Sequence, residues 1–141
     1  MLKLVQRVVQ GLLLLLPWCV IAQNSKIDPD LVQRMTAAPE IYQEVILDLA
    51  DQVDTRTMLA TFEAENTPLA ERSYQVITQL QAKAAATQPA VLDRLQQLAG
   101  TVASSIYPVW IVNAIYVRAN AAAILRMADW PEVGTLLWNA P

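Results

Sequence analysis

Few residues in this sequence have the chemistry that catalysis requires. The chain has no histidine, which excludes within it a Ser-His-Asp triad, a Cys-His pair and a histidine-based metal site. Acid–base work would fall to carboxylates, Lys83 or tyrosines, and the nearest acidic pair is Glu63 and Glu65. That pair is typical of a solvated linker, and the glycines at 11, 100 and 134 cannot form a phosphate-binding loop. We therefore expect no enzyme, no metal site and no cofactor.

The first 22 residues have the pattern of a secretory signal peptide. Lys3 and Arg7 form a basic start, and an apolar run extends from Val8 to the expected cleavage point between Ala22 and Gln23. The pattern predicts a secreted, extracytoplasmic protein.

Two alternatives concern the same apolar run. A membrane anchor needs about 20 residues, whereas this run is shorter and is interrupted by Gly11 and Pro17. A lipoprotein signal at Cys19 is disfavoured by the bulky residues before it.

Cleavage would remove the only cysteine and would leave eight basic against 13 acidic side chains, a net charge of −5. Such a product has no electrostatic reason to bind nucleic acid.

Hydrophobic periodicity predicts the elements that follow. They are a strand over Glu44–Ala50, a helical turn around Thr57–Phe62, helical stretches from Thr67 to Ala86 and from Val91 to Leu98, strands over Thr101–Val112 and Ile115–Ala119, a helix over Ala121–Asp129 and a strand over Val133–Trp138. Pro89 leaves open whether the middle stretches are one kinked helix or two. Residues 23–40 are expected to be a flexible leader, with room for a short helix from Asp28.

The segment VWIVNAIYV, residues 109–117, permits either one long strand or two strands folded back on each other. One strand would far exceed the usual length of about 3–10 residues. Asn113 tolerates a left-handed backbone, and Pro108 suits an edge strand. We therefore predict a hairpin that turns near Asn113.

The short helix after this hairpin should begin at Asn120, whose side chain can cap it. Its inward stripe is expected to be Ala121, Ile124, Leu125 and Ala128. The element order is then β-α-β-β-α-β, which predicts an α+β, ferredoxin-like fold with a four-stranded antiparallel sheet and two helices on one face. Apolar residues point to both faces of these strands, and an exposed apolar face indicates a partner.

The C-terminal residues also carry a family resemblance. The order of its parts is Trp110-Ile111-Val112-Asn113-Ala114, then Ile124–Asp129 with Pro131-Glu132-Val133, then Leu136–Asn139. This order resembles the end of the propeptide domain of subtilisin-like serine proteases, above all the bacillopeptidase F type. The resemblance covers roughly residues 40–141, and residues 41–141 are predicted to be the propeptide-like domain.

The resemblance implies a role as inhibitor and folding chaperone of a subtilisin-like protease, in cis or in trans. Such domains pack their open sheet face on the protease and lay their C-terminal segment in its cleft. The protease-binding residues implied here are Trp110, Asn113, Glu132, Leu137, Trp138, Asn139, Ala140 and Pro141.

This sequence departs from the family pattern in two respects. No catalytic domain follows Pro141, which predicts either a free-standing inhibitor or the front piece of an interrupted protease gene. The tail after Trp138 is also shorter than usual, which would weaken blockade of the active site. The alternative function is a secreted ferredoxin-like interaction module that binds another partner or a second copy of itself.

Overall fold

The computed structural model describes residues 25–140, and its centre is a four-stranded sheet in the order β2-β3-β1-β4. The elements are α1 (Pro29–Ala37), β1 (Gln43–Leu49), α2 (Thr55–Ala64), α3 (Leu69–Gln97), β2 (Tyr107–Val109), β3 (Ala114–Ala119), α4 (Ala121–Ala128) and β4 (Val133–Trp138). Every neighbouring pair of strands is antiparallel. The predicted α+β, ferredoxin-like fold is confirmed.

The core lies on one side of the sheet. Alternate residues of β1, Val45, Leu47 and Leu49, are buried, because successive side chains of a strand point to opposite faces. Neighbouring strands and helices add to this cluster. They contribute Ile115 and Val117 of β3, Leu136 of β4, Val91 and Leu95 of α3, and Ile124 and Met127 of α4. The alternation therefore leaves the second face of the sheet outside the core.

Helix α4 begins where the sequence predicts. The Asn120 side chain accepts a hydrogen bond from the Ala123 N–H at 3.1 Å, which satisfies one free donor of the first turn. The predicted stripe needs one correction, because Leu125 is 41% exposed whereas Met127 is buried. Met127 lies three residues after Ile124 and so shares its face, while Leu125 is rotated away from it.

Helix α3 is continuous from Leu69 to Gln97 and contains Pro89. The question of one helix or two is thus answered in favour of one. Gln88 and Val91, on either side of the proline, are buried against the sheet. This packing holds the helix together where local propensity would end it.

The N-terminal half of α3 extends beyond the sheet. Its first buried residue is Ala84, so about 20 Å of helix precedes any contact with the core. Helix α2 contacts α3, and its Phe62 is buried outside the main core cluster. Helix α2 is longer than the predicted turn, and Asp54 caps it. Hydrogen bonds from the Thr57 hydroxyl and the Thr57 N–H lower the pKa of Asp54.

The predicted hairpin at Asn113 is confirmed, with a shorter first strand than expected. Only Tyr107–Val109 form β2, and two 3₁₀ turns, Ala103–Ser105 and Trp110–Val112, take up most of the remaining length. Pro108 lies in this edge strand, and a proline cannot donate to a ladder. Asn113 has a φ of 43°, the left-handed conformation that its residue type tolerates.

Asn113 is also almost fully buried, and its side-chain amide joins three elements. Its Nδ2 donates to the Asp51 carbonyl at 2.8 Å, and its Oδ1 accepts from Gln88 Nε2 at 3.1 Å. Gln88 Nε2 donates in addition to the Val109 carbonyl at 3.2 Å. The end of β1, helix α3 and the β2–β3 turn are therefore connected through one residue.

The expected flexible leader requires a correction. We call Lys26–Ala37 the N-terminal strap. Its helix is capped by Asp28 with Pro29 in the first turn, as the sequence allows. Leu31 and Met35 lie in the core, and Ile27 pairs with Leu136 of β4. These contacts make the strap part of the domain, because its apolar residues fill the space beside β4.

The predicted signal peptide and its cleavage point, Ala22 and Gln23, lie outside the described residues. Within residues 25–140, no helix has both the length and the apolar character needed to cross a bilayer.

Replacement of Asn113 should separate its backbone role from its side-chain role. Asn113→Gly retains the positive φ but loses the amide bonds, and we expect the free energy of unfolding to fall by about 1–3 kcal/mol. Asn113→Ala should cost about 1–2 kcal/mol more, because alanine is strained in the left-handed region. Urea denaturation measures both.

Asn66 is the matched control, since it also has a positive φ, of 53°, but is exposed. Asn66→Gly should leave stability nearly unchanged. Equal stability of Asn113→Gly and the natural chain would contradict the role assigned to the buried amide.

Candidate protein-binding surface

The groups with potential chemistry lie at separate places in the described part of the chain. No cluster of three or more His, Cys, Asp or Glu residues with metal-binding geometry occurs among residues 25–140. Glu63 and Glu65 are both exposed at the C-terminal end of α2. Lys83 is engaged in a 2.6 Å ion pair with Asp51. Whether the described residues include a binding surface depends on what the sheet leaves exposed.

The sheet offers such a surface on the side away from the core. We call this side the open face. Ile46 of β1 lies opposite Tyr116 on β3 and opposite Leu137 on β4. Tyr116 in turn lies opposite Tyr107 of β2. Residues in register share a face, so these four side chains form one apolar row across all four strands, roughly 14 Å long.

Exposure supports this assignment. Tyr107 is 68% and Tyr116 37% exposed, whereas Ile46 and Leu137 are half-buried. The buried side chains of α1 and α4, with Val91 and Leu95 of α3, belong to the core cluster on the opposite side. An aromatic and aliphatic row left in water is the kind of patch that marks a protein-binding site.

Paired polar groups flank the row. On one side Arg118 Nε lies 2.9 Å from Glu44 Oε1. On the other, the Thr135 hydroxyl donates to Asp48 at 3.0 Å. Exposed pairs of this kind add little to stability. Arg118 and Glu44 balance each other's charge, and Asp48 accepts a hydrogen bond from a neutral hydroxyl. A partner therefore meets an apolar strip with a polar rim.

Both edges of the sheet are closed to a further strand. At the β2 edge, Pro108 has no N–H to offer. At the β4 edge, the Leu136 N–H donates a hydrogen bond to the Lys26 carbonyl of the strap. The Asp28 N–H of the strap donates to the Leu136 carbonyl. Binding through the sheet must therefore use the open face and not strand addition at these edges.

The C-terminal residues singled out in the sequence lie in different surroundings. Leu137 belongs to the row on the open face. Trp138 is in register with Val45 and lies on the other side of the sheet, where the Arg34 guanidinium stacks on its ring at 3.3 Å. The Asn139 N–H donates to the Glu44 carbonyl at 2.9 Å, and Ala140 is exposed. Pro141 lies outside the described residues.

The other predicted residues are not on the open face. Trp110 is 39% exposed and lines a groove of about 320 Å³ between α3 and β2, together with Gln81, Leu92 and Pro108. Asn113 is buried in the network described above. Glu132 forms a 2.8 Å ion pair with Arg94, which also stacks on Trp130. Of the described residues named from the sequence, Leu137 belongs to the row, and Asn139 and Ala140 follow it in the chain.

Tyr107 and Tyr116 were not identified as site residues from the sequence. The signal for Tyr116 is the alternation in IYVRA, where Ile115 and Val117 face the core and Tyr116 and Arg118 face away. Tyr107 joins them only through the strand register, which the sequence does not specify. Comparison with protein-family models, curated proteins and solved structures finds no match for the chain.

Adjacent residues of β3 test the assignment of faces. Ile115→Ala should lower the free energy of unfolding by about 2–5 kcal/mol, because it opens a cavity in the core. Tyr116→Ala should cost no more than about 1 kcal/mol, the range for losing a cross-strand pair. Chemical denaturation compares the two, and a larger loss for Tyr116→Ala would mean that the open face is covered.

Proposed function

We propose that this chain is a secreted, propeptide-like domain that binds a subtilisin-like serine protease and acts as its inhibitor, its folding chaperone, or both. The observation that carries the proposal is the apolar row on the open face of a ferredoxin-like sheet. The resemblance in residues 40–141 supplies the class of partner. On this proposal the chain acts by binding and not by catalysis.

The composition of the row suits a protein partner. Aromatic residues are enriched at protein interfaces, and tyrosine is common among the residues that contribute most to affinity. A standard interface buries about 800 Å² on each partner, so the row would form its centre and the Glu44–Arg118 and Asp48–Thr135 pairs its rim. The open face would dock against an apolar surface of the protease.

The C-terminal strand contributes the second part of the proposal. β4 is next to the open face through Leu137, and its end points into solvent at Ala140. An extended tail can pair with the substrate-binding edge of a protease as an added strand. Asn139 is still hydrogen-bonded to β1, so only the residues after it are available for such pairing.

The alternative partner is a second copy of the chain. The open face is uncharged at its centre and requires no complementary charge from what it binds. A ferredoxin-like interaction module that self-associates would use the same row. Sedimentation velocity distinguishes the two functions, because self-association predicts a dimer without any protease.

Inhibition tests the proposal directly. The chain from Gln23 onward, which contains every described residue, is titrated against a panel of subtilisin-like proteases with a chromogenic peptide. We expect competitive inhibition in the submicromolar range, a binding free energy of about −8 kcal/mol or stronger. Tyr116→Arg should weaken inhibition at least tenfold, because it places a charge in the centre of the row.

Tyr74 provides the matched control, since it is an exposed tyrosine on the part of α3 that extends beyond the sheet. Tyr74→Arg should inhibit as well as the natural chain. Absence of inhibition across the panel, or an equal loss with Tyr74→Arg and Tyr116→Arg, would reject the proposed docking surface.

A further inference from the structure

We propose that the N-terminal strap is a positioning element for the C-terminal strand and slows hydrolysis of that strand by the protease that the chain binds. The proposal rests on the proposed function for its biological meaning. Its physical content, that the strap holds β4 and its end in place, can be tested without any inhibition. Three contacts along β4 carry it.

The first contact lies at the beginning of the strand. The Lys26 ammonium donates a hydrogen bond to the Trp130 carbonyl at 2.9 Å, just before the turn into β4. The second contact is in the middle, where the Leu136 N–H donates to the Lys26 carbonyl at 2.7 Å and the Leu136 carbonyl accepts from the Asp28 N–H at 2.9 Å. Both backbone polar groups of Leu136 are therefore bonded to the strap.

The third contact lies at the end of the strand. The Arg34 guanidinium covers the Trp138 ring at 3.3 Å, and the half-buried ring is in register with Val45 on the core side. Arg34 is on the helix that Leu31 and Met35 anchor in the core. The Trp138 ring is thus held between the core and a cation on a helix that is anchored in the core.

Hydrolysis by a protease requires the chain around the cleaved bond to become extended and free to enter the active site. A strand end that opens more often is more often extended and free. The rate of cleavage follows the population of this open form when opening and closing are fast relative to cleavage. The strap lowers that population for residues 136–139. Of the described residues at this end of the chain, Ala140 then stays accessible, so a bound C-terminal segment blocks the cleft without leading to cleavage farther back.

Arg34 is the residue to test, because it is exposed and its replacement leaves the core intact. Arg34→Ala removes the cation above Trp138, and Arg34→Lys retains a positive charge as a conservative rescue. Arg126→Ala, on the exposed side of α4, is the matched control for loss of an arginine.

The first measurement is amide hydrogen exchange in the absence of protease. We expect residues 137–139 to exchange about two- to fivefold faster in Arg34→Ala, the range that an exposed cation–π contact supports. Arg34→Lys should lie between, and Arg126→Ala should match the natural chain. Unchanged exchange at residues 137–139 in Arg34→Ala would overturn the proposal, regardless of whether the chain inhibits a protease.

The second measurement follows cleavage by an excess of subtilisin, with mass spectrometry locating the cut sites. Cuts after residues 136–139 should appear faster in Arg34→Ala by a similar factor, while the initial inhibition constant stays close to that of the natural chain. Equal cleavage rates would also overturn the proposal. If Arg34→Ala is cleaved faster but the chain inhibits no protease, the role of the strap is supported and the proposed function is rejected. Failure of the proposal about the strap can therefore be distinguished from failure of the proposed function.

Discussion

The fold depends on a buried amide at the tip of the β2–β3 hairpin. Asn113 adopts a left-handed backbone that turns the chain, and its side chain bonds the end of β1 and Gln88 of α3. The Asn113 carbonyl also accepts from the Leu49 N–H at 3.1 Å. No buried side-chain nitrogen or oxygen in residues 25–140 lacks a hydrogen-bond partner. A fully satisfied polar centre of this kind fixes one arrangement of strands and helix, because any shift in register would leave costly unpaired groups.

That fixed arrangement leaves the sheet with one free surface. Helices fill one face, Pro108 blunts one edge, and the strap covers the other. What remains is the open face, where the register of four strands aligns Tyr107, Tyr116, Ile46 and Leu137. The proposed binding mode follows from this elimination of edges and from the chemistry of the row, and the resemblance of the C-terminal residues adds the class of partner.

The sequence predicts the local features of the fold well and its long-range features less well. The Asn120 cap, the alternation of β1 and the hairpin at Asn113 depend on neighbouring residues, and each is where the pattern places it. The strap was expected to be a leader because nothing near Leu31 and Met35 in the sequence reveals that β4 lies beside them. Pro89 suggested a helix boundary, but packing on both sides of it overrides the local preference. For the candidate site, alternation marks Ile46 and Tyr116 as facing away from the core, whereas their alignment with Tyr107 requires the register.

The N-terminal half of α3 lies outside the packing of helices against the sheet. It leaves the sheet before Ala84 and packs with α2, and its exposed Leu69, Tyr74 and Ile77 make no core contact. Because segments with few buried contacts open at lower free energy than the core, we expect this helical hairpin to open locally more readily than the sheet. Because the strands and the open face do not depend on its length, it is the part of the domain in which insertions and deletions are tolerated most easily.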